Sequence, residues 1–165
     1  MKYQSIKTIF VSLLFLLTAQ LSFAGAIQGK VFKDWQGSCQ DVNGKEICFV
    51  VQPLYVDNKA TIMVTTVDLV QHPKLPVVTF RLSKMLDATK DVQFKVDKNQ
   101  AIGLKAKCSE TACLVHFLLD KRMMAEFKRG KQGVLAFIAT DTKKPRYFPV
   151  SLSCFTKARS ALNKG

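Results

Sequence analysis

Two cysteines set symmetrically about an Asn-Gly dipeptide constrain this chain more than any other feature. Cys39 and Cys48 flank Gln40-Asp41-Val42-Asn43-Gly44-Lys45-Glu46-Ile47. Asn-Gly is the strongest short hairpin signal, because both residues of a two-residue loop need φ > 0 and these two types tolerate it. Folding about Asn43 and Gly44 pairs Val42 with Lys45, Asp41 with Glu46, Gln40 with Ile47 and Cys39 with Cys48. If Val42 and Lys45 close the loop by hydrogen bonds, Cys39 and Cys48 fall at a non-hydrogen-bonded position. Side chains approach closest there, within disulfide reach. The alternative is two free thiols in a strand pair, and the compartment of the chain decides between them.

That compartment is set by the first residues. Lys2 and Lys7 form a positive start, Thr8 to Ala19 is an apolar run, and Ser22-Phe23-Ala24 places small residues before Gly25. This is the layout of a secretory signal peptide over residues 1–24, cleaved before Gly25. The apolar run is short for a bilayer span, and nothing later is long and apolar enough to cross one. No cysteine follows the cleavage point to carry a lipoprotein anchor. Residues 25–165 then suit a single domain with one core.

Exported chains meet an oxidising environment, where local cysteine pairs are read as disulfides. Cys108 and Cys113 enclose Ser109-Glu110-Thr111-Ala112, a small loop between two strands. Zinc is the competing reading of four cysteines. Zinc ribbons use two short C-x₂₋₄-C knuckles, whereas eight residues separate Cys39 from Cys48. Neither pair has the C-x-x-C spacing of a redox motif. Cys154 is left over. With Ser153 as a helix cap it would lie in a first helical turn, where the dipole lowers a thiol pKa. It is open to three readings: a buried thiol, a disulfide link to a second copy, or a reactive thiol.

The remaining pattern is mainly β. Thr61–Val67, Val77–Leu82, Val134–Ala139 and Arg146–Leu152 are rich in β-branched and aromatic residues. Asp91–Asp97 alternates without a fault, which predicts a half-buried strand. Leu114–Leu119 reads as a buried strand, and Gln71–Pro76, with two prolines, as a turn. Asp120 is placed to cap a helix with Met123, Met124 and Phe127 on its core face and Gly130 at its end. Ser153 is placed to cap a second, with Phe155, Ala158, Ala161 and Leu162 on one face. The expected architecture is a disulfide-stapled β-sandwich with two short helices.

Catalytic signatures are absent. The chain has two histidines, His72 before a proline and His116 in the expected buried strand, and neither stands in a nucleophile or metalloprotease motif. No cofactor or metal is called for, no nucleic-acid motif is visible, and Trp35, the only tryptophan, suits a core anchor. Charge is the positive clue. Residues 1–24 hold two lysines and no acid, so the formal net charge falls from +13 to +11 once they are removed. A balance this basic favours contact with anionic surfaces such as lipopolysaccharide, phospholipid headgroups, sulfated glycans or nucleic acid. Lys121, Arg122, Lys128, Arg129 and Lys131 form the densest cluster. Three of them also suit the negative end of the helix dipole, with no partner required.

Taken in order, Phe32-Lys33-Asp34-Trp35, Cys48-Phe49-Val50-Val51-Gln52, the Cys108/Cys113 loop with Leu114 to Asp120, Phe127-Lys128-Arg129-Gly130-Lys131 and Phe148-Pro149-Val150-Ser151-Leu152 resemble the invasion-associated locus B family of exported bacterial proteins. The resemblance spans nearly all of residues 25–165. It implies a β-sandwich-type domain from a Gram-negative bacterium, in the periplasm, on the outer membrane or secreted, with a role in host-cell invasion and no established catalytic residues. It places the family's disulfide cysteines at Cys39, Cys48, Cys108 and Cys113. Cys154 stands where the family typically has a small residue such as glycine, and the lysine excess is greater than usual. Three functions follow as expectations. The first is a non-enzymatic protein acting by surface contact in invasion or envelope function. The second is a periplasmic chaperone or assembly module, and the third a thiol enzyme using Cys154.

Overall fold

A computed structural model describes residues 27–57, 59–69 and 75–164. The expected leader over residues 1–24 and most of the Gln71–Pro76 turn lie outside these residues. In chain order the strands are β1 (Val31–Phe32), β2 (Trp35–Val42), β3 (Lys45–Val56), β4 (Ala60–Asp68), β5 (Val77–Ser83), β6 (Val92–Val96), β7 (Ile102–Leu104), β8 (Ala106–Cys108) and β9 (Ala112–Leu118). Helix α1 (Lys121–Arg129) follows, then β10 (Gln132–Ile138), β11 (Pro145–Ser151), α2 (Phe155–Ala161) and a closing 3-10 turn. All strand pairs are antiparallel. They form a seven-stranded sheet in the order β1-β2-β3-β4-β5-β9-β8 and a four-stranded sheet in the order β11-β10-β6-β7. The two make a sandwich-like, mainly β fold.

The β2–β3 hairpin has the register its turn dictates. Val42 pairs with Lys45 and Cys39 with Cys48, and Asn43 and Gly44 take φ of 55° and 77°. The Asp41 carboxylate accepts from the Gly44 N–H at 2.9 Å and locks the loop. Beyond Cys39 and Cys48 the hairpin projects, because β4 first pairs with β3 at Phe49 and β1 touches only Trp35 and Gln36. A two-stranded projection is marginal on its own. The Cys39–Cys48 disulfide sits at its root, and Cys108–Cys113 closes the β8–β9 hairpin at the opposite edge of the sheet.

Between the sheets runs a chain of fully buried rings. Trp35 meets Phe155 at 5.7 Å, Phe155 meets Phe127 at 5.1 Å, Phe127 meets Phe94 at 5.8 Å and Phe94 meets Phe80 at 5.3 Å. Edge-to-face and tilted pairs of this kind add to the area they remove from water. Phe94 lies over Gly133 of the paired strand β10. A Cβ there would come within 2.6 Å of the ring. The sheets are also clasped by polar atoms. Trp35 Nε1 and Gln52 Nε2 both donate to the Ser151 carbonyl, at 3.0 and 3.1 Å, and the Ser151 N–H donates to Gln52 Oε1 at 2.8 Å. Gln52 is buried and fully used in this clasp, so it carries no desolvation debt.

Two expectations are corrected, and α1 ends at Gly130 as expected. β9 is half-buried, not buried: Leu114 and Leu118 are 41% and 45% exposed and His116 is exposed, because only one face of the strand meets the core. Gly130 ends α1 with φ of −74°, so it is not there for left-handed backbone. It is there for space, since a Cβ would lie 2.3 Å from Val96 and 2.8 Å from the Glu126 carbonyl. Ser153 does not cap α2. Cys154 occupies the cap position, exposed and left-handed at φ 60°, with no side-chain cap bond, so it is neither buried nor inside the first turn.

Candidate interaction surface

Helix α1 is built as the caps require. Asp120 accepts from the Met123 N–H at 2.8 Å, and Met123 and Phe127 turn into the core while Met124 packs at its edge. At 3.6 residues per turn this fixes what the other side shows. Lys121, Arg122, Lys128 and Arg129 share one exposed sector with the small Ala125 at its centre. Arg122 is tied to Glu126 at 3.1 Å, and Arg129 Nε donates to the Ala125 carbonyl at 3.3 Å. Lys121 and Lys128 have no ion-pair partner among the described residues. Lys131 lies past Gly130, exposed, its backbone N–H donating to Asp97 at 3.0 Å. So helical geometry gathers four of the five sequence-predicted cations on one face. The fifth stands at a margin where Asp97 and Glu126 supply negative charge.

The other sequence-predicted positions are scattered. His116 lies on the outer face of the seven-stranded sheet, opposite Thr79, and Cys154 lies at the start of α2. Surface depressions of about 280 to 400 Å³ are lined by β4–β5, by the end of α1 and by α2 with β1, and neither His116 nor Cys154 lines these. Two carboxyls are held below their ordinary value, and both do local work. Asp87 is lowered first by the Thr89 hydroxyl, then by the Thr89 N–H, with Lys143 adding charge. Asp141 is lowered chiefly by the Thr142 N–H and then by Arg146 at 2.8 Å. These are turn hydrogen bonds at the surface, not a pair poised for acid–base chemistry.

Fold and site together define a class: a basic, disulfide-stapled antiparallel β-sandwich with four exposed cations on one face of a helix. The profile described as "Invasion associated locus B (IalB) protein" matches residues 35–163, from the buried Trp35 through α1 to the end of α2. The chain belongs to the invasion associated locus B family. Among solved structures it is similar to the invasion associated protein B of Bartonella henselae, with a TM-score of 0.72. The likeness covers 82% of this chain and 94% of that one at 22% identity, and it is one of fold. No curated protein matches the chain.

The sequence reading missed the Ser151 clasp and the apolar outer face of the large sheet. The clasp joins residues 99 and 116 positions apart, which no local pattern reveals. The outer face had a signal: Phe49-Val50-Val51 and Leu114–Leu119 are apolar on both parities, where a one-sided strand alternates.

Proposed function

We propose that this protein is exported and acts without catalysis, by surface contact between the basic face of α1 and an anionic component of the envelope or of a host surface, in the invasion or envelope role its family name suggests. One observation carries the reading: Lys121, Arg122, Lys128 and Arg129 share one exposed sector of a helix that Asp120, Met123 and Phe127 anchor to the core. A fixed array of cations is stronger than the same charges dispersed, because each contact needs no further ordering. The leader over residues 1–24 delivers the chain across the inner membrane, and the disulfides hold the scaffold afterwards. Binding to lipopolysaccharide, to heparin and to phosphatidylglycerol vesicles tests it. Affinity should fall steeply as salt rises, because exposed charges are screened within about 10 Å at 0.1 M salt. Salt-insensitive binding, or none, contradicts the proposal.

A further inference from the structure

Helix α1 carries a charge that its own stability does not explain. The first turn of a helix is the positive end of its dipole and favours acids, yet the first turn of α1 holds Lys121 and Arg122 and no acid. Arg122 is offset one turn on by Glu126, at 3.1 Å. Lys121 is exposed and has no ion-pair partner among the described residues. Lys128 stands in the last turn, where the dipole favours a cation, and it too is exposed and unpaired among the described residues. The two lysines lie seven positions apart, just short of two full turns. They therefore share one ridge, about 10 Å apart along the axis. Met124 and Ala125 flank the ridge between them, and neither is charged. Arg129 is turned back on the helix, its Nε donating to the Ala125 carbonyl at 3.3 Å.

We propose that Lys121 and Lys128 together bind the bisphosphorylated disaccharide headgroup of a glycolipid, one phosphate on each ammonium. This rests on the reading of α1 as the contact face and names the ligand of that face. Two hexose rings joined end to end, with a phosphate at each end, span a comparable length. Their middle is uncharged, as the middle of the ridge is, and it lies over Ala125, the smallest side chain of the helix. A phosphodiester headgroup has one charge and reaches one lysine. A sulfated glycan is charged along its whole length and gains nothing from an uncharged middle. With both phosphates on one molecule, the second contact becomes intramolecular, so two weak exposed contacts add up to useful affinity.

The test is binding of residues 25–165 to neutral phosphatidylcholine vesicles that carry a small fraction of diphosphoryl lipid A, or twice that fraction of monophosphoryl lipid A, so that phosphate density is equal. The diphosphoryl lipid should bind at least about fivefold tighter, because two monophosphoryl lipids must first be gathered from a dilute surface. Lys128→Ala combined with Ala125→Lys keeps the net charge and brings the lysines to about 6 Å along the axis. The preference should then fall below about twofold, while binding to phosphatidylglycerol vesicles is retained. Lys128→Ala alone, at an exposed site, should also remove the preference and serves if the double variant does not fold. Lys59→Ala should leave the preference unchanged. Equal affinity for the two lipids, or a preference that survives the move of Lys128, would overturn the inference. It would leave α1 as the contact face if phosphatidylglycerol binding still depends on Lys121 and Lys128. No binding to any of these anionic vesicles would overturn both.

Discussion

Cys154 holds a left-handed backbone, with φ of 60°, that a side chain with a Cβ resists. The left-handed region costs an ordinary L-residue roughly 1–2 kcal/mol and glycine almost nothing. Cys154→Gly should therefore raise stability by about 1 kcal/mol, partly offset by the freer unfolded chain. The midpoint of urea unfolding measures it, and a lowered midpoint would contradict the reading. Asp87 and Asp141 make a second prediction at this scale. Their folded pKa values lie below the ordinary 3.8, so each stabilises the fold fully above that value and loses its contribution as pH falls through the depressed one. Thermal midpoints should be flat near neutrality and fall below about pH 4. With Asp87→Asn and Asp141→Asn together, that acid limb should be shallower.

At the scale of elements, the projecting β2–β3 hairpin depends on its staple, because no third strand supports residues 39–48. Replacing Cys39 and Cys48 together by serine should cost about 2–3 kcal/mol on the chain-entropy account of a small loop. Hydrogen exchange should show the loss concentrated at the hairpin tip. Gly133→Ala should cost about 1–3 kcal/mol, because a methyl there drives Phe94 out of the ring chain that joins β6 to α1 and β5. A change within a few tenths of a kcal/mol would mean the ring moves freely. The same elements show what could be read from sequence. The hairpin register was legible because an Asn-Gly loop has one low-strain geometry. The alternation of β6 and the Asp120 cap of α1 were legible because both are local. Strand order was not: the partners of β5 and β9 are chosen by tertiary packing, and the pattern of either strand is the same whichever neighbour it takes. The run Leu114–Leu119 misled for the same reason, since an apolar side chain on an outer face reads like one in the core. The backbone of Cys154 was illegible too, because nothing in Leu152-Ser153-Cys154-Phe155 forbids a normal cap.

For the whole molecule, the buried rings, the clasp at Ser151 and the two disulfides produce a rigid body whose reactive groups lie apart while four of its cations lie together on α1. Among the described residues no helix is long and apolar enough to cross a membrane. A family defined by such a scaffold can change partners by changing its surface, and here the surface is lysine-rich. The most direct measurement compares two variants with the same net charge, Lys121→Glu with Lys128→Glu on α1 and Lys59→Glu with Lys95→Glu on exposed strand and turn positions, in titrations of phosphatidylglycerol vesicles. If the helix face is the contact, the α1 pair should lose at least about tenfold in affinity while the control pair loses less than about threefold, in keeping with a few charges acting within a screening length. Equal losses in the two variants would mean that only total charge matters, and would contradict a contact surface on α1.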